Sequence, residues 1–352
     1  MKKLLLVLMK IVLPAGILAY LAWDAHRNHA FEELVSQPKN WWLLAAATAA
    51  CSSAVLLTLV RWHYLVRGLD LPFSLKDALR LGFLGYLFNF APMGIVGGDL
   101  LKAVLLARRL PGHRAEAVAT IFVDRVVGLY LLFVVATAAM FASGFWRIEN
   151  IVVHQICLFT LAVTVIGTLA LAMLFVRDME RAWSIRLLGA VPCVGQRLEN
   201  SARRLALAVQ LYRRRPDVIL ISSLMSIGVH SLFSLGVFLI ARGLYDLVPS
   251  LGMHLVLSPL SAATGVLPIS FGPFELVLDR LYAYVPMGAL GAIKPGQGFV
   301  VALGYRIITG LIAVVGICYY LGSRAEVTEV LQEAEEASGA AKIAAAATTV
   351  SG

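Results

Sequence analysis

Six long apolar segments constrain the fold of this chain more than any other feature. A helix needs about 20 apolar residues to cross a hydrocarbon core of roughly 30 Å. Segments of about this length occupy residues 4–22, 41–60, 118–142, 151–176, 218–240 and 299–321. Of the 352 residues, 60% are hydrophobic and 14% are charged, and the mean hydropathy is +0.82. A soluble domain carries about 25% charged residues, so the sequence predicts an all-α polytopic membrane protein with six full transmembrane helices.

The first of these segments follows Lys2 and Lys3, as the core of a secretory signal would. However, it is longer than such a core, contains Lys10, and ends without a clear small-residue cleavage site. We therefore expect it to be retained as a helix.

Basic residues predict the orientation of the chain. Loops rich in Lys and Arg face the cytoplasm. Here they comprise the segment that begins with Arg61, the segment around Lys102, and residues 177–215. The segments with few or balanced charges, expected on the outer side, are 32–39, 145–150 and 244–250. This assignment predicts a multi-pass protein of the cytoplasmic (inner) membrane with both termini in the cytoplasm.

Two further apolar segments, residues 78–107 and 251–287, begin and end on the same predicted side. Each is interpreted as a broken helical hairpin, either re-entrant or full-length. The predicted breaks are Pro92, Gly94, Gly97 and Gly98 in the first hairpin, and Pro259, Gly265, Pro268, Gly272 and Pro273 in the second. Irregular backbone at membrane depth is tolerated only where it is buried in protein or lines a watery cavity. We therefore expect a cavity between the two hairpins.

The two hairpins share a sequence pattern. PMGIVGGD places Asp99 seven residues after a proline, and PISFGPFE places Glu275 seven residues after a proline. Further along, DRVVGLYLL contains Arg125 and YRIITGLIA contains Arg306, each ahead of a Gly-Leu pair. This order favours an inverted repeat with a binding site at its interface. A chance match is the alternative, because Pro and Gly are frequent in membrane helices.

Charged side chains inside the first hairpin region indicate function. A charge at the bilayer centre costs roughly 2.5–3.5 kcal/mol, so such residues are usually paired, exposed to water or functional. Asp99 and Lys102 are three residues apart and share a helix face, which allows an ion pair. Asp124 and Arg125, at the start of a predicted span, are interpreted as partners of Asp99 or as interfacial residues.

The second hairpin carries its own charged group. Glu275 and Asp279 are four residues apart and share a face, with Arg280 next in the chain. Two neighbouring carboxylates disfavour each other's ionisation. Either one of them holds a proton, or both are paired with Arg280 or Arg306.

These residues and the breaks beside them form the candidate translocation site. Its members are Pro92, Gly97, Gly98, Asp99, Lys102, Asp124, Arg125, Pro268, Gly272, Glu275, Asp279, Arg280 and Arg306. The structural alternative for Lys102, Asp124 and Arg280 is a position near a helix end, with the charge reaching water. For the three glycines it is close helix packing. Their functional interpretation is that they expose backbone amides or a helix N-terminus to an anion such as phosphate.

Motifs of several function classes are missing. The sequence contains no phosphate loop, HExxH motif, GxSxG elbow, or Cys and His cluster with metal spacing, so no cofactor or metal is predicted. Its four cysteines are interpreted as packing residues. The net charge of +9 comes largely from the predicted cytoplasmic loops and indicates contact with anionic lipid, not nucleic acid.

Residues 1–322 are predicted to form one transmembrane domain, with two polar segments attached. Residues 177–217 alternate basic and apolar side chains and are interpreted as an amphipathic helix on the inner leaflet or as a plain linker. Residues 323–352 are predicted to form a cytoplasmic tail, with a short helix followed by disorder.

Three motifs together resemble the flippase-like family that includes the transmembrane region of lysylphosphatidylglycerol synthase and stand-alone members. They are NFAPMGIVGGDLLKAVLLARR, DRVVGLYLL and LPISFGPFELVL, and the resemblance covers roughly residues 5–322. The PxxxxGGD element is its most specific part. Two departures stand out. Lys102 occupies a position where the family commonly has Arg, and Gly272 and Pro273 replace a frequent G-x-G.

The resemblance implies a flippase, which moves an anionic or aminoacylated phospholipid, or a polyprenyl-linked lipid, between leaflets. In the synthase a soluble domain makes the lipid. This chain ends soon after its last span, so we expect a transporter and not an enzyme. One alternative is a membrane transferase acting on a lipid carrier, with Asp99 or Glu275 as general base. Another is a non-catalytic partner whose basic loop recruits a cytoplasmic lipid-modifying enzyme.

Overall fold

A computed structural model of the chain describes residues 2–90, 94–176, 210–213, 215–267, 269–286, 293–324 and 327–329. Within these residues the protein is helical and contains no strand. Its α-helices are α1 Lys2–Arg27, α2 Ala30–Ser36, α3 Trp41–Arg67, α4 Leu75–Phe88, α5 Gly94–Arg109, α6 Arg114–Ala142, α7 Ile151–Val176, α8 Pro216–Leu244, α9 Leu251–Ala262, α10 Pro273–Ala283 and α11 Gln297–Leu321. Short 3-10 turns lie at Phe145–Arg147 and Ala263–Val266.

Five helices are long and apolar enough to cross a membrane: α3, α6, α8, α11 and the part of α7 over Ile151–Ala172. They confirm the predicted polytopic membrane fold. The remaining predicted span lies in α1, whose 26 residues extend over about 39 Å at 1.5 Å per residue.

Four of these helices, α3, α6, α8 and α11, extend beyond their predicted spans, and in the first two this changes where charged residues lie. Helix α3 continues to Arg67, so Arg61 is buried inside a helix and the prediction that it lies in a cytoplasmic loop was wrong. Helix α6 begins at Arg114, so Asp124 and Arg125 lie well inside it and not at its start. A sequence reading that stops a span at its first charged residue shortens helices whose charges are paired within the protein.

Both predicted hairpins are present, as α4–α5 and α9–α10. Serine side chains cap their first helices, since Ser74 accepts from the Asp77 amide at 3.1 Å and Ser250 accepts from the Met253 amide at 3.3 Å. The second hairpin turns back at Gly272, whose φ of 100° favours glycine, and Pro273 then begins α10. The prediction of breaks at Gly97, Gly98 and Pro259 was wrong, because α5 and α9 continue through them. Two further predicted breaks, Pro92 and Pro268, lie outside the described residues.

The helix contacts are symmetric between the two halves of the chain. Helices α3 and α8 pack along each other, and each is followed by a hairpin and then a long helix. Helix α4 of the first hairpin packs on α11, while α9 of the second hairpin packs on α6. Exchanging α3–α6 with α8–α11 therefore reproduces the contacts, which supports the internal repeat. The opposite orientation of its halves in a membrane stays a prediction.

Buried apolar side chains join the hairpins to the long helices. The largest cluster connects α3 and α8 to the second hairpin and α11; it includes Val237, Leu257, Leu278 and Val301. A second cluster lies under the first hairpin and includes Trp62, Leu81 and Leu105. The hairpins are therefore integral parts of the helical core.

Most of the predicted linker and tail falls outside the described residues, namely 177–209, 214, 325–326 and 330–352. Of the linker's described part, Tyr212 is buried and its hydroxyl donates to the Leu65 carbonyl at 2.9 Å. Beyond α11, Val327 is buried in the cluster under the first hairpin.

The contact between α4 and α11 depends on Gly316. A Cβ atom added there would lie 2.5 Å from the carbonyl oxygen of Phe83 and 2.8 Å from the Cβ of Leu87. Small residues let membrane helices approach to this distance.

Gly316→Ala is therefore expected to destabilise the protein by about 1–3 kcal/mol, the usual cost of overpacking. Gly310 is the matched control in the same helix, because an added Cβ there meets nothing within 4 Å. Gly310→Ala should be neutral or stabilising by up to about 1 kcal/mol. Denaturant titration in detergent micelles measures both, and equal effects would contradict the close contact.

Candidate functional site

The first ion cluster consists of Asp99, Lys102 and Arg125. Asp99 and Lys102 lie on successive turns of α5, and the Lys102 Nζ is 2.9 Å from the Asp99 Oδ1. From α6, the Arg125 Nη2 donates to the same oxygen at 2.6 Å, and its Nε donates to the Asp99 Oδ2. The carboxylate thus binds two cations and ties the second helix of the hairpin to the following long helix.

Glycines bring α4 close enough to α5 to enclose this cluster. A Cβ at Gly98 would lie 2.1 Å from the Gly85 carbonyl oxygen and 2.2 Å from the Asn89 Oδ1. The Lys102 chain passes over Gly85, and its Nζ lies 5.1 Å from the centre of the Trp62 ring. Gly98 therefore serves close packing, as the structural alternative stated. Gly97 is half-buried at the end of the first turn of α5.

The second ion pair consists of Glu275 on α10 and Arg306 on α11. Glu275 is fully buried; its Oε2 accepts from the Gly272 amide at 2.7 Å, and its Oε1 accepts from the Arg306 Nε. The Arg306 guanidinium lies over the rings of Phe271 and Phe274, at 5.2 and 5.3 Å. The Gly272 amide is buried and donates to the chain's own carboxylate, and its use for an anion stays a prediction.

The two groups are built alike. In each, an acid on the second helix of a hairpin binds an arginine on the next long helix, 26 residues later for Asp99 and 31 residues later for Glu275. The shared sequence pattern thus corresponds to a shared arrangement in space.

Asp279 and Arg280 have other partners. The Asp279 Oδ1 accepts from the Phe299 amide at 3.0 Å and so caps the N-terminus of α11. Arg280 is exposed, donates to the Tyr20 hydroxyl at 2.7 Å and lies over its ring. Of the two neighbouring acids, Glu275 is paired with Arg306, whereas Asp279 accepts from a backbone amide.

Asp124 is also separate from the first ion cluster. Its Oδ1 accepts from the Arg61 Nε at 2.9 Å, and the Arg61 Nη1 donates to the Ser226 hydroxyl at 2.7 Å. This buried group joins α3, α6 and α8. Asp124 is therefore neither a partner of Asp99 nor an interfacial residue. The available signal was an arginine, Arg61, inside the otherwise apolar run LLTLVRWHYLV.

A cavity of about 160 Å³ lies where the tips of the two hairpins meet. Phe90 of the first tip and Phe271 of the second have ring centres 6.1 Å apart. Lining residues from both tips and from α11 include Tyr86, Asn89, Phe90, Phe274, Tyr305 and Arg306. Among the described lining residues Arg306 alone is charged; the first ion cluster does not belong to the lining.

Asn89 is a polar residue of this cavity that the sequence reasoning missed. It follows α4 directly, and its Oδ1 is buried with no hydrogen-bond partner among the described groups. Buried polar atoms are normally paired. This oxygen lies against α5, since a Cβ added at Gly98 would be 2.2 Å from it. Elsewhere in the described residues, no group of three or more His, Cys, Asp or Glu side chains is placed to hold a metal ion.

Comparison with known proteins identifies one family. A family model described as the lysylphosphatidylglycerol synthase TM region matches residues 5–316. This match indicates a membrane protein involved in lipid handling. No curated protein and no solved structure matches the chain.

Proposed function

The chain belongs to the lysylphosphatidylglycerol synthase TM region family, and from this premise and the cavity we propose that it moves the head group of a phospholipid or polyprenyl-linked lipid between leaflets. Residues 1–322 act as one transmembrane domain of the cytoplasmic membrane, with both termini in the cytoplasm. The two ion groups line or flank the path.

The observation that carries this proposal is a cavity at the meeting point of two broken hairpins, with one charged and several polar side chains among the apolar residues of its lining. Each hairpin leaves irregular backbone within an otherwise helical membrane protein, and such backbone is stable only within protein or beside water. A charged side chain, Arg306, reaches this cavity together with Asn89. A polar head group would find hydrogen-bonding partners there that the hydrocarbon core lacks.

The size of the cavity favours a head group over a whole lipid. Its volume of about 160 Å³ is below the range of roughly 300–1,000 Å³ that encloses a drug-sized ligand. The acyl tails would stay in the bilayer while the head group crosses.

The geometry does not favour the alternative of a transferase. A general base must be within reach of the proton that it abstracts and be free to accept it. Glu275 is fully buried, with one oxygen bound to Arg306 and the other to the Gly272 amide. Asp99 binds two cations. Both acids are therefore bound in ion pairs that would have to break before they could act.

Translocation of fluorescent lipids in proteoliposomes tests the proposal. Wild type should move at least one of three labelled lipids: phosphatidylglycerol, its lysyl ester and a polyprenyl phosphate. Arg306→Gln and Arg125→Gln should lower the rate at least about tenfold, because a charge-assisted hydrogen bond contributes about 1.5–3 kcal/mol. Arg280→Gln is the matched control, since Arg280 is exposed and bound to Tyr20.

Thermal unfolding of each variant establishes that it is folded, and mass spectrometry follows the lipids. A change in lipid mass without translocation would favour the transferase. If the folded Arg306→Gln variant moved lipid at the wild-type rate, the proposal that the head group passes through this cavity would be contradicted.

A further inference from the structure

In both ion groups the arginine is more exposed than the acid that holds it. The side chain of Arg125 is 40% exposed and that of Asp99 is 16% exposed. For Arg306 and Glu275 the corresponding values are 23% and 0%. A ligand that approaches either group therefore meets a guanidinium before it meets a carboxylate.

The carboxylate oxygens of Asp99 and Glu275 already accept hydrogen bonds within the protein. Asp99 accepts from Lys102 and Arg125, and Glu275 accepts from Arg306 and a backbone amide. A guanidinium has five N–H donors. Arg306 donates to Glu275 through Nε, and none of the described acceptors bonds to its Nη groups. Donors are thus available to a ligand in the cavity.

The charge balance near Asp99 points the same way. Lys102 and Arg125 are two cations, while Asp99 is the carboxylate that binds both. One positive charge is therefore in excess among these three side chains. Charges in a membrane interior are usually balanced or face a watery path, so this group favours an anion.

We propose that the transported lipid is recognised as an anion, through its phosphate, by Arg306 in the cavity and by Arg125 at the first ion cluster. Asp99 and Glu275 are positioning residues that hold these arginines and do not bind a cationic head group. The amino groups of an amino acid esterified to the lipid contribute nothing to affinity at these acids. The inference rests on the proposed function for its lipid, but the phosphate site is testable without transport.

Equilibrium binding of lipids to the purified protein in detergent, followed by native mass spectrometry, tests the inference. Three lipids with the same acyl chains are compared: phosphatidylglycerol, lysyl-phosphatidylglycerol and diacylglycerol, which lacks the phosphate. Wild type should bind the two phosphate lipids with similar affinity and diacylglycerol at least about tenfold more weakly. Equal binding of all three lipids would overturn the proposal.

Variants of Arg306 and Glu275 distinguish a residue that contacts the phosphate from one that only positions the arginine. Arg306→Gln should reduce the preference for phosphate, whereas Arg306→Lys, which keeps the charge but not the planar fork, should retain part of it. Glu275→Gln should weaken both phosphate lipids by the same factor, because it loosens Arg306 without removing it. Selective loss of the lysyl lipid in Glu275→Gln would instead show that the acid binds the amino group, and would overturn the proposal.

Two further outcomes separate this inference from the proposed function. Inorganic phosphate should compete with phosphatidylglycerol only weakly; competition at equal concentration would mean that the site takes free phosphate and not a lipid. Phosphate-dependent lipid binding without translocation would support the anion site while contradicting transport.

Discussion

Asp124→Ala is expected to lower the free energy of unfolding by about 3–5 kcal/mol, because it leaves the guanidinium of Arg61 buried without its counterion. The side chains of Arg61 and Asp124 are only 5% and 2% exposed. Arg61 also binds Ser226, so the loss would loosen the junction of α3, α6 and α8. Denaturant titration of the purified protein in detergent micelles measures the change.

Asp217 provides the matched control for this prediction. It also lies on a long helix and pairs with an arginine, Arg215, but their side chains are 57% and 43% exposed. Exposed ion pairs contribute about 0–1 kcal/mol, so Asp217→Ala should change stability little. If Asp124→Ala were no more harmful than this control, the buried pair would not hold the three helices together.

Arg306→Ala is expected to have an effect of similar size, about 3–5 kcal/mol, because the fully buried Glu275 carboxylate would lose its counterion. The double variant Glu275→Gln with Arg306→Ala should lose less stability than Arg306→Ala alone, since it leaves no buried charge. The difference between its effect and the sum of the two single effects is a coupling energy, which for contacting residues is about 0.5–3 kcal/mol. Denaturant titration of the single and double variants completes the cycle.

Arg280→Ala is the control for this cycle. Arg280 lies on the same helix as Glu275 but is exposed, and its loss removes a hydrogen bond and a ring contact with Tyr20. About 1 kcal/mol or less is expected. Additive effects of the Glu275 and Arg306 substitutions would contradict the ion pair.

The sequence was sufficient for the features that depend on local composition. Long apolar runs predict membrane helices, and five of the six predicted spans are confirmed as helices of sufficient length and hydropathy. Of the predicted breaks, Gly265 lies in a 3-10 turn and Gly272 precedes α10, whereas Gly97, Gly98 and Pro259 lie inside helices. The ion pair between Asp99 and Lys102 follows from their spacing on one helix face.

Helix ends and partners across helices were less predictable. The predicted end of α3 at residue 60 was too early, because Arg61 was interpreted as a loop residue. Its partner Asp124 is 63 residues away in the chain. Asn89 gave no signal at all, since an asparagine after a helix usually serves a turn. Its place beside the cavity arises from the packing of α4 on α11 and of Phe90 against Phe271 of the second hairpin.

Asp124 and Arg125 illustrate the limit most clearly. As neighbours on α6 they point about 100° apart around the helix, so one meets Arg61 on α3 and the other meets Asp99 on α5. The sequence by itself determined that this is a helical membrane protein with two broken hairpins, because hydrophobicity and backbone breaks are local properties. Only the tertiary structure decided which acid holds which arginine and where the cavity lies, because those pairings depend on how separate helices pack.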